Sequence, residues 1–260
     1  MENSFHNFEG KIALVTGSGR GIGKAIAIKL ANMGAEIVVN YSRNRAQAEE
    51  TSGVIHSLGK KALIIKANIA KEEEIELLFE KISSEYGKLD ILVNNAASGF
   101  NRPLTEQKAS GWDYTMQVNV RAAMLCSQKA VPLMETAGCG HIINISSPGS
   151  TRVLPDYIAV GASKAALDSL TRYTAVELAP KNIHVNAVSP GMVETEALKH
   201  FAFMNNTDVT SKTIKNTPAG RLVTPEDVAE VVAFLCSPAA DMICGQVIVI
   251  DGGFTLIVPK

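Results

Sequence analysis

Three groups of side chains in this sequence have types and spacings that suit chemistry. The first is a glycine-rich turn, Thr16-Gly17-Ser18-Gly19-Arg20-Gly21-Ile22-Gly23, which fits the pattern T-G-x-x-x-G-x-G. Glycines let a backbone approach a pyrophosphate, and a helix starting behind them favours negative charge. The second is the stretch from Asn40 to Arg45, which carries no acid. Dinucleotide sites that hold free ribose hydroxyls place Asp or Glu at such a strand end. Arg43 and Arg20 instead supply guanidinium groups, which suit a 2′-phosphate. This pattern predicts NADPH over NADH, with Arg45 read as a solvated loop charge. The third is Tyr157, seven residues before Lys164. Two helical turns would put phenol and ammonium on one face, about 10.5 Å apart along the axis. A phenol near a cation can stabilise negative charge developing on an oxygen.

These groups need a scaffold, and its pattern is regular. Short apolar runs at Lys11–Thr16, Glu36–Asn40, Ala62–Lys66, Ile91–Asn94, His141–Ser146, His184–Val188 and Gln246–Ile250 read as strands. Helical spacing appears between them at Ile22–Met33, Ala46–Leu58, Glu72–Tyr86, Gly111–Met134, Tyr157–Leu178 and Pro225–Leu235. Apolar strands alternating with helices predict an α/β fold: one Rossmann-type doubly wound parallel sheet of about seven strands, with helices on both faces. The chain has 260 residues, 46% of them hydrophobic, enough for a single dinucleotide-binding and catalytic domain over residues 1–260. Ligands of such sheets bind at the carboxyl ends of the strands.

The bulk properties exclude several roles. A net charge of −1 gives no field to attract nucleic acid or an anionic membrane. No apolar run reaches the roughly 18 residues of a membrane span, and the acidic start is no secretory leader. Cys126, Cys139, Cys236 and Cys244 form no C-x-x-C pair. They read as reduced thiols of a cytoplasmic protein, with no metal site. Residues 192–217 follow a strand end and include Phe201, Phe203 and Met204. This long segment is expected to be a substrate-binding loop, the alternative being a helical insertion without substrate contact.

Further residues carry a resemblance. Asn94-Asn95-Ala96-Ala97 follows the fourth strand, Asn119 lies inside a helix, Ser146-Ser147 ends the fifth strand and Ser189-Pro190-Gly191 ends the sixth. With the glycine turn, these resemble the short-chain dehydrogenase/reductase family over nearly the whole chain. The resemblance implies that Gly17, Ser18, Arg20, Gly21, Ile22, Gly23 and Arg43 bind the cofactor phosphates. It assigns Asn68, Ile69 and Asn95 to the adenosine side, although many members have Asp at position 68. Pro190, Gly191 and Thr195 would meet the nicotinamide, and Lys164 the ribose. Ser147 would sit in the substrate pocket, and Asn119 would support a water and Lys164.

The active site departs from the usual family form, Tyr-x-x-x-Lys. Val160 stands four residues before Lys164, and valine donates no proton. If the helix is regular at Tyr157, the hydroxyl is displaced roughly 4.5 Å along the axis. Ketone reduction needs its acid beside the carbon that receives hydride. Reduction of an α,β-unsaturated thioester places hydride on the β-carbon and charge on an oxygen two carbons away. The displaced donor suits the second reaction. Tyr-x6-Lys resembles bacterial enoyl-acyl-carrier-protein reductases. Asn94 to Gly99, Arg102-Pro103, Ser146 to Arg152, Tyr157 to Arg172, Asn216 to Arg221 and Asp241-Met242-Ile243 are similar to the NADPH-dependent FabL type.

That resemblance implies a soluble homotetramer of fatty-acid elongation acting on enoyl-acyl carrier protein or acyl-CoA. Tyr157, Lys164, Asn119 and Ser147 would be its catalytic set. Residues 192–217 would cover the acyl chain, and Lys199, Lys212 and Lys215 beside it would receive the acidic carrier. Many enoyl reductases carry a second tyrosine where this chain has Ser147, so the role of the serine stays open. Two alternatives remain: a dehydrogenase of a carbonyl or alcohol such as a 3-ketoacyl thioester, and a non-catalytic NADPH-binding sensor. Tyr173, on another side of the Lys164 helix, is expected in the core.

Overall fold

The computed structural model describes residues 7–195 and 207–257. Seven parallel strands form one sheet: β1 Ile12–Val15, β2 Glu36–Tyr41, β3 Ala62–Lys66, β4 Ile91–Asn94, β5 Gly140–Ile145, β6 Ile183–Pro190 and β7 Val247–Ile250. Their order is β3-β2-β1-β4-β5-β6-β7. The direction of winding reverses between β1 and β4, where a crevice opens at the strand ends.

The helices are α1 Gly21–Asn32, α2 Arg45–Ser57, α3 Glu72–Tyr86, α4 Ala109–Met116, α5 Ala122–Ala137, α6 Ile158–Leu178, α7 Thr207–Lys215 and α8 Pro225–Leu235. Successive strand side chains point to opposite faces. Ala13, Val15, Ile37, Val39, Ile91 and Val93 accordingly pack with α1, α2 and α8. Ile12, Leu14, Val38 and Leu92 pack with α3, α5 and the far end of α6. Both faces are covered, which is why the strands read as unbroken apolar runs.

The ends of the helices follow from local sequence. Three acids open α3, and Gly87 closes it at φ +67°. Thr224 and Asp227 form a reciprocal capping box on α8, with Pro225 in its first turn.

Three expectations are refined. The stretch read as Gly111–Met134 runs from Ala109 to Ala137 and is interrupted by a π turn at Gln117–Arg121. Tyr173 is not in the core but 76% exposed on the outer side of α6. Within 192–217, α7 occupies the C-terminal part, while Lys199, Phe201, Phe203 and Met204 lie outside the described residues.

Candidate active site

A cleft of about 960 Å³ lies at the carboxyl ends of β1, β2 and β4. Its floor is the turn between β1 and α1. Gly17 and Gly21 have φ of +65° and +55°, a region that disfavours side chains. Gly23 is required for space: a Cβ there would stand 2.5 Å from Asn95 Nδ2 and 2.6 Å from the Gly17 carbonyl oxygen. Asn95 Nδ2 donates to the Thr16 carbonyl at 2.8 Å, and Thr16 Oγ1 accepts from the Asn95 and Ala96 amides at 3.0 Å each. Asn95 therefore clamps the turn.

Asn40, buried at the end of β2, braces it from the other side. Its Oδ1 accepts from the Gly17 amide at 3.1 Å, and its Nδ2 donates to the Ala67 carbonyl at 3.1 Å. Ser18 is occupied in the same brace. Its amide donates to the Asn40 carbonyl, and its hydroxyl accepts from the Asn40 amide.

The residues present fit a dinucleotide. The first turn of α1 has no side-chain cap and no acid, so its amides remain for an anion. Gly17, Arg20, Gly21, Ile22, Gly23, Arg43, Asn68, Ile69, Asn95 and Thr195 all line the cleft. Arg20 and Arg43 are exposed at its rim. Asn68 Oδ1 accepts from the Ala70 amide at 3.1 Å, which holds the loop after β3 in shape. Ser18, Pro190, Gly191 and Lys164 are not among the lining residues. Pro190 ends β6, and the Gly191 amide donates to the Ile250 carbonyl at 3.0 Å.

The reactive side chains gather around α6. Tyr157 is its N-cap residue, one position before the helix proper. Its carbonyl still accepts from the Gly161 amide at 2.7 Å, so the helical ladder includes it. The ring lies in a slot between glycines: a Cβ on Gly149 would meet the Tyr157 ring at 2.7 Å, and one on Gly161 would meet the Gly149 oxygen at 2.9 Å. Burial pushes the phenol pKa up, and a hydrogen bond from Ser147 works against that rise. Tyr157 lines a second recess of about 450 Å³, walled by Pro103, Leu104, Leu154 and Ile158.

Val160, one turn short of Lys164, is only 6% exposed and packs on the loop after β4. The contact is so close that a Cβ on Gly99 would fall 2.1 Å from Val160 Cγ2. Lys164 Nζ donates to the Ile145 carbonyl at 2.7 Å. Burial pulls its pKa down to about 8, and the Asp168 carboxylate opposes that shift.

Asn119 sits in the π turn, and this accounts for an amide inside a helix. Its Oδ1 accepts from the Ser98 amide at 2.8 Å, and its Nδ2 donates to the Ser98 carbonyl and to Ser163 Oγ, both at 2.9 Å. Asn119 thus ties the β4 loop to α6, through the neighbour of Lys164 rather than Lys164 itself. π turns inside helices occur frequently at functional sites.

Sequence reasoning missed Gly149, Gly161 and Asp168. Asp168 had a readable signal, an acid one turn beyond Lys164 on an otherwise apolar face. The glycines had none, because the direction of the Tyr157 ring is decided by tertiary contact.

A family model described as enoyl-(acyl carrier protein) reductase matches residues 17–255. The 1-cyclohexenylcarbonyl-CoA reductase of Streptomyces collinus is 34% identical over 249 residues, covering 96% of this chain and 88% of that protein. A solved 7α-hydroxysteroid dehydrogenase in complex with NADH and 7-oxo glycochenodeoxycholic acid superposes with a TM-score of 0.92 at 36% identity, covering 97% of each chain. The gluconate 5-dehydrogenase of Burkholderia cenocepacia J2315, solved with NADP and tartrate, gives a TM-score of 0.91 at 32% identity, covering 98% of this chain and 99% of the other. The chain belongs to the short-chain dehydrogenase/reductase family of oxidoreductases.

Proposed function

We propose that this oxidoreductase is an NADPH-dependent enoyl-acyl-carrier-protein reductase, acting on the trans-2 double bond of an enoyl thioester in fatty-acid elongation. The observation that carries the reading is the pairing of Val160 with Tyr157. A buried side chain with no acidic proton fills the position one turn before Lys164, while a phenol two turns before it is held in a glycine slot. The family model's description and the thioester substrate in the name of the Streptomyces relative support the same class. NADPH is favoured by Arg20 and Arg43 beside a strand end without an acid, and by the NADP held in the gluconate dehydrogenase neighbour.

In this mechanism the α1 turn holds the pyrophosphate and Arg20 with Arg43 the 2′-phosphate. When bound, NADPH would supply the hydride for the β-carbon, and a proton from solvent at the α-carbon would complete the reduction. Tyr157 donates a hydrogen bond to the thioester oxygen as negative charge develops there. A raised phenol pKa keeps its proton in place as a donor. Lys164 binds the ribose hydroxyls, and Ser147 orients the phenol. Asn119 fixes the β4 loop against α6. Residues 192–217 cover the acyl chain, Pro190, Gly191 and Thr195 lie on the nicotinamide side, and the assembly is a cytoplasmic homotetramer.

Carbonyl or alcohol chemistry is the competing reading, favoured by the hydroxysteroid dehydrogenase neighbour and its oxo ligand. NADPH oxidation with crotonyl or octenoyl thioester, set against a 3-ketoacyl thioester, separates the two. Turnover of the enoyl substrate alone, with most of the rate lost in Tyr157→Phe, is expected. Preference for the ketoacyl substrate refutes the proposal. NADPH binding with no turnover of either substrate assigns the chain to a sensor.

A further inference from the structure

Asp168 stands one helical turn beyond Lys164 on α6 and has no part in the mechanism above. It is 6% exposed, Lys164 5% and Ser146 4%. Ser146 Oγ donates to Asp168 Oδ1 at 2.5 Å, and Lys164 Nζ donates to the Ile145 carbonyl at 2.7 Å. Residues 145 and 146 are consecutive at the end of β5. One strand end therefore holds both charges, the ammonium through a carbonyl and the carboxylate through a hydroxyl.

A buried ammonium with only neutral partners loses its proton readily, because low dielectric penalises the charged form. The hydrogen-bond partner of Lys164 Nζ, the Ile145 carbonyl, is neutral. Strand β5 offers the Ile145 carbonyl to Lys164 and the Ser146 hydroxyl to Asp168, and the π turn reaches α6 through the Asn119 amide bonded to Ser163. Among the described residues, Asp168 is the charged group that acts on Lys164, and it favours the protonated form.

We propose that Asp168 is a positioning residue of the active site: the buried counter-charge, fixed by Ser146, that keeps Lys164 cationic where it meets the cofactor ribose. It touches neither substrate nor cofactor and acts through Lys164. The inference rests on the role given to Lys164 and is independent of whether a double bond or a carbonyl is reduced.

NADPH affinity measured by fluorescence titration from about pH 6 to about pH 10 tests it without turnover, across the range in which lysine ammonium titrates. In the unaltered protein, affinity falls as Lys164 loses its proton. In Asp168→Asn that fall moves to lower pH by about one unit or more, the size of shift an opposite charge at close range causes. At the acid end the two proteins agree within about twofold, since both lysines are then charged. Asp168→Glu restores most of the profile.

Thermal melting of Asp168→Asn and of Lys164→Met/Asp168→Asn gives a second readout. Removing one member of a buried charge pair strands the other, and removing both relieves the defect. If Asp168→Asn fails to fold, recovery in the double variant supports the proposal, and failure of both variants overturns it. An unmoved pH profile in folded Asp168→Asn overturns it as well. If Lys164→Met binds NADPH unchanged, the role of Lys164 falls and takes the proposal with it.

Discussion

At Val160, a side chain without a hydroxyl stands one turn before Lys164. Its close packing on Gly99 means that the loop after β4 has settled against a small residue, not a phenol. The tyrosine that remains depends on the absence of side chains at Gly149 and Gly161. Gly149→Ala would put a methyl 2.7 Å from the Tyr157 ring, and the ring would have to swing aside. Misplacing a reacting group by about 1 Å can cost on the order of 100-fold in rate. The expected result is a kcat reduced roughly ten- to 100-fold with NADPH affinity retained, because Gly149 does not line the cofactor cleft. Gly53→Ala, with open space around its Cβ on α2, is the control and should leave kcat unchanged. Equal losses from both substitutions would show that the slot does not position the phenol. Val160 and Tyr157 were readable by counting back from Lys164. The slot was not, because it depends on how the 147–150 turn folds back onto α6.

Among the elements, the strands were legible to within a residue or two, since burial on both faces leaves unbroken apolar runs. The π turn was not, because Asn119 announces an exception without saying how the helix absorbs it. The bonds from Asn119 to Ser98 and Ser163 supply that answer. A second unannounced feature joins β5 to β6. His141 and His184, paired in register, stack with ring centroids 5.2 Å apart. Burial first, then the His184 and Lys11 charges, pull the His141 pKa down to about 4, with Asp90 working the other way. The ordinary histidine value is about 6.5, so between those values the unfolded chain binds the proton first. Stability is therefore complete above about pH 6.5 and falls as pH drops toward about 4. The loss should approach about 3 kcal/mol at the acid end. Urea midpoints for the unaltered protein and His141→Gln, compared at about pH 7.5 and about pH 5, check this. The variant should lose less between the two conditions, and parallel losses would clear His141.

For the whole molecule, the fold class and the cofactor crevice were legible because they depend on periodicity and glycines, which are local. Assembly is different, since nothing in a period says which apolar face finds a second copy. Tyr173 and Val176 on α6 are 76% and 75% exposed, a large apolar pair facing away from the sheet. Strand β7 ends the sheet order, and Val249 on it is 52% exposed. An open edge and an exposed apolar helix face are both costly in an isolated protomer. They give each copy two separate surfaces, and two distinct two-fold contacts generate a tetramer with closed symmetry. Light scattering after size exclusion should then report about four times the 27.7 kDa chain mass. Tyr173→Glu with Val176→Glu places charge on the helix surface and leaves β7 untouched. This pair should reduce the assembly to dimers while leaving the dinucleotide cleft intact, because neither residue lines it. A monomer in the unaltered protein would remove the tetramer, and a tetramer that survives both charges would move the interface off α6.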